Sequence, residues 1–284
     1  MTFPVLLCKA LNRLFPLPQH PFNLQNRGEL TYAQWQYQMG QRTIEFFLDV
    51  DSEERMFAGK RVLDIGCGAG GKTLYYASRG ADLVCGIDPV EHYKEEAEQL
   101  ARQKGLEHKF RFVTGDAAQM PFEDESFDTI IMNDAMEHVD RPRPVLMECR
   151  RVLKKGGRLY INFPPYYHPY GAHLSDAIGI PWVHRVFSQK TLIECYKDLV
   201  RDLPDGQRRI DFRISKDGGG REYFSYINGM TIKRFEEIIR NIPLKLLHYR
   251  LVPLRRPFGV LVKSKTFREY FVKMVVCIME KGEV

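Results

Sequence analysis

Three acids recur along the chain, each closing a short apolar run: Asp64 in VLDIGCGAGGKT, Asp88 in VCGIDP and Asp116 in VTGDA. The first lies beside a glycine string that satisfies two patterns at once. Gly66 to Thr73 reads as G-x-x-x-x-G-K-T, a phosphate cradle, while Gly66, Gly68 and Gly71 read as G-x-G-x-x-G, a dinucleotide turn. Asp64 separates the readings, because a carboxylate aimed at that loop would repel a phosphate even through screening and would welcome a cationic amine. Asp88 ends the next run, where an acid can accept both hydroxyls of a ribose. Asp116 ends the third and could accept a hydrogen bond from an exocyclic adenine amine. Together they suit a positively charged nucleoside without phosphates. Lys72, Thr73 and the run TIIMND (Thr129–Asp134) keep ATP as the weaker alternative. Taken singly, Asp64 and Asp116 could also be plain turn residues.

A second group of residues could move protons. Asp134, Glu137 and His138 are spaced i, i+3, i+4 and would share one face of a helical turn. Two carboxylates and an imidazole there could hold a hard divalent ion, or His138 could serve as a base or pocket wall. The weight falls on the second reading, so no metal is expected. His168 and His173 lie in FPPYYHPYGAH, with His184 following in PWVHRVF. Their imidazoles can take a proton from a nucleophile, and the neighbouring tyrosines either stack on a substrate or pack a lid.

These residues need strand ends to hold them, and the patterning provides them. Apolar runs at Arg61–Cys67, Asp82–Asp88, Phe110–Asp116, Phe127–Asp134 and Arg158–Phe163 alternate with helical segments at Lys72–Arg79, Glu91–Lys104 and Pro142–Leu153. That rhythm predicts a parallel, doubly wound sheet with ligands at the carboxyl ends of its strands. Two helical segments precede it, near Val5–Phe15 and after Thr31. Residues 165–230 break the rhythm and are rich in aromatics, His, Pro and Gly, with one helix near Gln189–Leu199. The segment is too long for an ordinary connection, so a lid inserted over the strand ends is expected. A helix at Thr231–Asn241 and strands near Leu244–Val252 and Val272–Met279 close the chain. The expected division is 1–58 a helical cap, 59–164 a nucleoside-binding core, 165–230 the lid and 231–284 a helix and strand pair completing the sheet.

Composition narrows the class further. The 284 residues are 44% hydrophobic and 27% charged, as in a folded globular protein. Six cysteines without a C-x-x-C pair argue against a disulfide framework or thiolate zinc site, which fits a reducing cytoplasm. No signal peptide is expected at the N-terminus. The net charge is +6, and the stretch from Lys245 to Lys273 accounts for all of it, with eight basic residues against Glu269. Phe258, Phe267, Tyr270 and Phe271 interleave with these cations, so peripheral contact with an anionic membrane or substrate is the alternative to a merely solvated surface. Nucleic acid is not expected.

The motifs VLDIGCGAGG, VCGIDP, GDAAQMPFEDESFDTIIMNDAMEHV and RVLKKGGRLYINFPP, in this order, resemble those of class I S-adenosylmethionine (SAM)-dependent methyltransferases, in the style of the small-molecule enzymes of ubiquinone biosynthesis. The resemblance covers about Thr31–Pro165 and, more loosely, Thr231–Met279. It implies a Rossmann-like α/β sheet of about seven strands, mostly parallel, whose last strand in sequence runs antiparallel between two others. It implies SAM as cofactor, with Asp64, Gly66, Cys67 and Gly68 at the methionine part. Asp88 and Pro89 would meet the ribose, Asp116 and Ala117 the adenine, and Asn133 would flank the sulfonium. His138, His168 and His173 are then the candidate bases. The expected reaction is O-methylation of a small aromatic or natural-product-like acceptor. The alternatives are C-methylation of a quinone or isoprenoid precursor at a membrane, and a SAM-binding protein without turnover.

Overall fold

A computed structural model describes residues 2–26, 28 and 30–282, so the outermost ends of the expected first and last divisions, Met1 and 283–284, lie outside the described residues. Five helices come first: α1 (Phe3–Asn12), α2 (Pro21–Asn26), α3 (Tyr32–Gln38), α4 (Gly40–Ile44) and α5 (Glu53–Phe57). The alternating core follows with β1 (Arg61–Ile65), α6 (Gly71–Ser78), β2 (Leu83–Asp88), α7 (Tyr93–Lys104), β3 (Phe110–Thr114), β4 (Phe127–Asn133), α8 (Pro142–Val152) and β5 (Leu153–Phe163). The inserted segment contains α9 (Val183–Val186), α10 (Gln189–Val200), α11 (Gly206–Arg213), β6 (Ile214–Lys216) and β7 (Glu222–Phe224). Then come α12 (Ile232–Ile239), β8 (Lys245–Pro253), a 3-10 turn at Arg256–Phe258, α13 (Gly259–Val262), α14 (Arg268–Phe271) and β9 (Val272–Glu280).

Seven strands form one sheet in the order β3-β2-β1-β4-β5-β9-β8. The pairs β3–β2, β2–β1, β1–β4 and β4–β5 are parallel, whereas β9 is antiparallel to both β5 and β8. The last strand is therefore reversed between two others, as expected. Strand order reverses direction at β1 and β4, whose first connections leave to opposite sides, and that is where an open α/β sheet accepts ligands. The central strands are buried on both faces; β4 has Thr129–Asn133 all buried. One apolar cluster joins β4, β5 and β9 to α8 and α12 through Met132, Ile161, Cys277, Leu146 and Phe235. A second lies on the opposite face around Val62, Tyr76, Ile131 and Ile278.

The inserted segment is more regular than its composition suggested. Instead of one helix it carries three helices and the β6–β7 hairpin, paired from Ile214↔Phe224 to Lys216↔Glu222. Its own apolar cluster includes Val5 and Cys8 of α1 alongside Ile193, Cys195 and Tyr196 of α10. The first helix thus packs directly against the lid. Asn12 secures the join, donating to Ala177 O at 2.8 Å and accepting from Gly179 N at 2.8 Å. Beneath it, Asp176 is fully buried between two buried guanidinium groups, with Arg209 Nη1 and Arg213 Nη2 each 3.1 Å away. Tyr196 donates a further hydrogen bond to it at 2.8 Å. These partners offset the cost of desolvating the carboxylate.

Candidate active site

The glycine loop leaves β1 in backbone conformations that only glycine adopts freely. Gly66, Gly68 and Gly70 have φ of 68°, 54° and 73°. At Gly68 a side chain would also collide, since a Cβ would lie 2.8 Å from Gln36 Nε2. Gln36 of α3 straps the loop from above, donating to Cys67 O at 3.2 Å and accepting from Gly71 N at 3.3 Å. Asp88, at the end of β2, accepts from Gly68 N at 2.9 Å and from Val90 N at 3.0 Å. Those two bonds fix its carboxylate at the mouth of the loop, while burial raises its pKa. Asp116 follows β3, accepts from Ala118 N at 2.8 Å and pairs with Arg141 at 2.7 Å. The backbone bond, then Arg141, hold its carboxyl below the usual range.

One cavity of about 910 Å³ runs over these strand ends, a volume suited to a nucleoside together with a small second ligand. Its wall includes Gly66, Gly68, Asp88, Pro89, Asp116, Ala117 and Asn133, seven of the nine residues expected to meet the cofactor. The other two, Asp64 and Cys67, do not line it. The Asp64 carboxyl is buried under α6, where Thr73 donates to it at 2.6 Å. Burial pushes its pKa up to about 7. The expectation that it points into the loop is therefore corrected. A buried carboxyl takes the nearest hydroxyl, and Thr73, one turn into α6, provides it. Cys67 packs inward over Gly86, where any added Cβ would lie 2.7 Å from Cys67 Sγ; only its backbone belongs to the loop.

The groups expected to move protons line the same cavity. His138, His168 and His173 all line it, together with Lys72, Asp134, Phe212, Arg213 and Tyr226. Lys72 Nζ lies 3.4 Å from Asp134 Oδ2, and Asn133 Nδ2 donates to the same oxygen at 2.8 Å. His138 Nδ1 lies 2.7 Å from Tyr226 O, so that nitrogen carries the proton and Nε2 is left as an acceptor. His138 and His173 rings sit with centroids 4.8 Å apart. Burial lowers the pKa of His138 and of His168 to about 4, and burial with the neighbouring His138 lowers that of His173 well below the ordinary value. All three are neutral near pH 7. Asp134 and His173 adopt φ of 48° and 53°, left-handed values that are uncommon for non-glycine residues. Asp134, Glu137 and His138 do not present a common face to the cavity. Glu137 is buried behind it, while His184 lies apart, against Tyr166.

Several cavity residues carry no motif. Tyr32, Trp35 and Gln36 come from α3, and His20 and Phe22 from the chain before it. Arg213, with its guanidinium 5.5 Å from the Tyr226 ring, comes from the lid. Lys72 had a signal, the G-K-T string, but it was attached to a phosphate reading. The others could be found only from the tertiary packing of α2, α3 and α11 over the loop.

Comparison with known proteins agrees with this architecture. Residues 63–161 match a methyltransferase domain family. A ubiquinone biosynthesis O-methyltransferase of Pseudomonas putida is 35% identical over 145 residues, 49% of this chain and 59% of the relative. A sterol 24-C-methyltransferase of Aspergillus fumigatus is 39% identical over 99 residues, 35% of this chain and 26% of the relative. The chain thus spans between about a quarter and three fifths of the length of these relatives. A crystal structure of a SAM-dependent methyltransferase from Methanosarcina mazei superposes with a TM-score of 0.51 at 22% identity, covering 84% of this chain and 97% of that one. Sheet order, glycine loop and domain match agree: residues 63–161 carry a methyltransferase domain of the class I SAM-dependent kind.

Proposed function

We propose that this protein transfers the methyl group of SAM to an oxygen of a small aromatic or natural-product-like acceptor. The observation that carries the reading is a single cavity lined both by Asp88 and Asp116 and by three neutral histidines. Asp88 would accept the ribose hydroxyls, Asp116 and Ala117 would border the adenine, and Asn133 would flank the sulfonium. The methyl of a sulfonium is already activated, so the protein's tasks are to align an oxygen in line and to accept its proton. Neutral imidazoles can take that proton. Tyr226, Phe212 and Tyr170 give an aromatic acceptor flat surfaces to lie against.

Isothermal calorimetry with S-adenosylhomocysteine, ATP and NADH tests the cofactor: binding of the first alone is expected, and binding of ATP alone would overturn the reading. Methyl release from labelled SAM with a panel of phenols and quinols then tests the reaction. A C–CH3 instead of an O–CH3 linkage in the product would replace O-methylation by C-methylation.

A second reading, C-methylation of a lipid-soluble precursor at a membrane surface, rests on a patch at the chain's basic end. Arg255, Arg256, Lys263 and Lys265 are exposed beside Val260 and Phe267, which are 75% and 51% exposed. The other aromatic residues of that stretch turn inward: Tyr270 stacks on Tyr167, and Phe258 and Phe271 pack together.

A further inference from the structure

Glu137 is 3% exposed, and neither oxygen of its carboxyl has a hydrogen-bond partner among the described residues. Such a group is costly whether ionised or protonated, because in either state its polar atoms have left water for nothing. Two imidazole nitrogens face the same carboxyl oxygen. His138 Nε2 and His173 Nε2 each lie 3.8 Å from Glu137 Oε1, beyond hydrogen-bond reach. One ligand atom from each of the three residues can be chosen so that all lie within 4.8 Å of one another.

We propose that Glu137, His138 and His173 bind a first-row divalent cation of the zinc type. Bonds of about 2.1 Å span up to about 4.2 Å between two ligand atoms, and a tetrahedral angle would draw them to about 3.4 Å. The two 3.8 Å spacings from Glu137 accommodate an ion after an inward shift of a few tenths of an ångström, and the two imidazoles, which lie within 4.8 Å of each other, would close by up to about 1.4 Å. Two imidazoles and one carboxylate favour zinc, iron or cobalt over magnesium, which prefers oxygen ligands and keeps its waters. The outer contacts are those of a ligand set held in place. His138 Nδ1–H donates to Tyr226 O at 2.7 Å, which fixes Nε2 as the unprotonated nitrogen. His173 is held at its φ of 53° by two backbone contacts: its own N donates to Tyr170 O at 2.9 Å, and Arg213 Nε donates to its carbonyl at 3.2 Å.

The set differs from the Asp134-Glu137-His138 combination that spacing suggested. Asp134 is turned to Lys72 and Asn133, and the lid contributes His173 in its place. Both histidines also line the cavity, so a bound ion would face the acceptor there. Its catalytic value rests on the proposed methyl transfer: it would acidify an acceptor hydroxyl, whose proton would pass to solvent.

Equilibrium dialysis of the metal-stripped full chain against Zn²⁺, followed by elemental analysis, is expected to retain one ion per chain. Co²⁺ in its place should give the ligand-field absorption of a four- or five-coordinate site. Glu137→Gln and His173→Gly, the latter tolerant of the left-handed backbone, should each weaken Zn²⁺ affinity by at least the roughly 10–100-fold that even outer partners contribute. S-adenosylhomocysteine binding by the same variants serves as the control for folding. Should a variant fail to fold, paramagnetically shifted imidazole protons in the Co²⁺-loaded native chain decide: two shifted rings support the site. No retained ion, no ligand-field band, no shifted rings, or variants that bind like the native chain would overturn it. An ion bound at these residues without methyl transfer would uphold the site and overturn only its catalytic role.

Discussion

At the residue scale, each acid is defined by the partner it found. Asp88 and Asp116 keep carboxylate oxygens at the cavity, whereas Asp64 spends its charge on Thr73 and a buried environment. Asp88→Asn should weaken S-adenosylhomocysteine binding about tenfold or more in calorimetry, through loss of a charge-assisted acceptor for ribose hydroxyls. Unchanged affinity would remove Asp88 from the cofactor site. The histidines give a pH signature. His168 is neutral in the folded chain down to about pH 4 but takes a proton near pH 6.5 once unfolded. Stability from its burial is therefore complete above about pH 6.5 and is lost as the pH falls towards 4. Thermal unfolding of the native chain and His168→Gln should show the variant gaining relative to the native chain between pH 7 and pH 5. Parallel curves would show that His168 is not buried neutral.

At the element scale, the reading from sequence succeeded wherever a periodic pattern was local. Runs such as Leu83–Asp88 followed by Tyr93–Lys104 specify strand and helix without help from distant residues. The reversal of β9 came from the resemblance, not from any pattern in VKMVVCIME. The lid escaped because its order comes from tertiary pairing: α10 and α11 are organised around Asp176, whose partners lie 20, 33 and 37 positions away in sequence. Asp88 and Asp116 were legible as cavity residues because strand ends are where such acids must lie. Arg213, Tyr226 and Tyr32 were not, since nothing in their neighbourhoods marks them as cavity residues. Asp176→Asn keeps the volume but leaves two buried guanidinium groups short of a counter-charge. It should cost about 3–5 kcal/mol, read as a lower denaturation midpoint. A change below about 1 kcal/mol would show that the lid does not depend on this cluster.

At the scale of the whole molecule, the surplus positive charge is partly spoken for. Arg250 pairs with Asp49, Arg268 with both oxygens of Glu236, and Lys273 lies over the Phe46 ring. Arg255, Arg256, Lys263 and Lys265 remain exposed around Val260 and Phe267. Among the described residues no helix is long and apolar enough to cross a membrane. Co-sedimentation with vesicles containing anionic lipid is expected at low salt and should fall when the salt is raised, because exposed charges are screened within about 10 Å at 0.1 M. Phe267→Ser together with Lys263→Gln should reduce it further. No sedimentation at either salt concentration would leave the patch merely solvated.

The chain ahead of the sheet touches both the glycine loop and the lid. Gln36 of α3 straps the glycine loop, and Asn23 of α2 donates to Asp176 O and accepts from Arg209 in the lid. Seven residues separate Asn23 from Thr31, the cap of α3, so both anchors belong to one short stretch of chain. Seating the nucleoside under α3 would thereby set the width of the opening through which the second ligand enters. Steady-state kinetics with both ligands varied should consequently show a compulsory order, cofactor before acceptor.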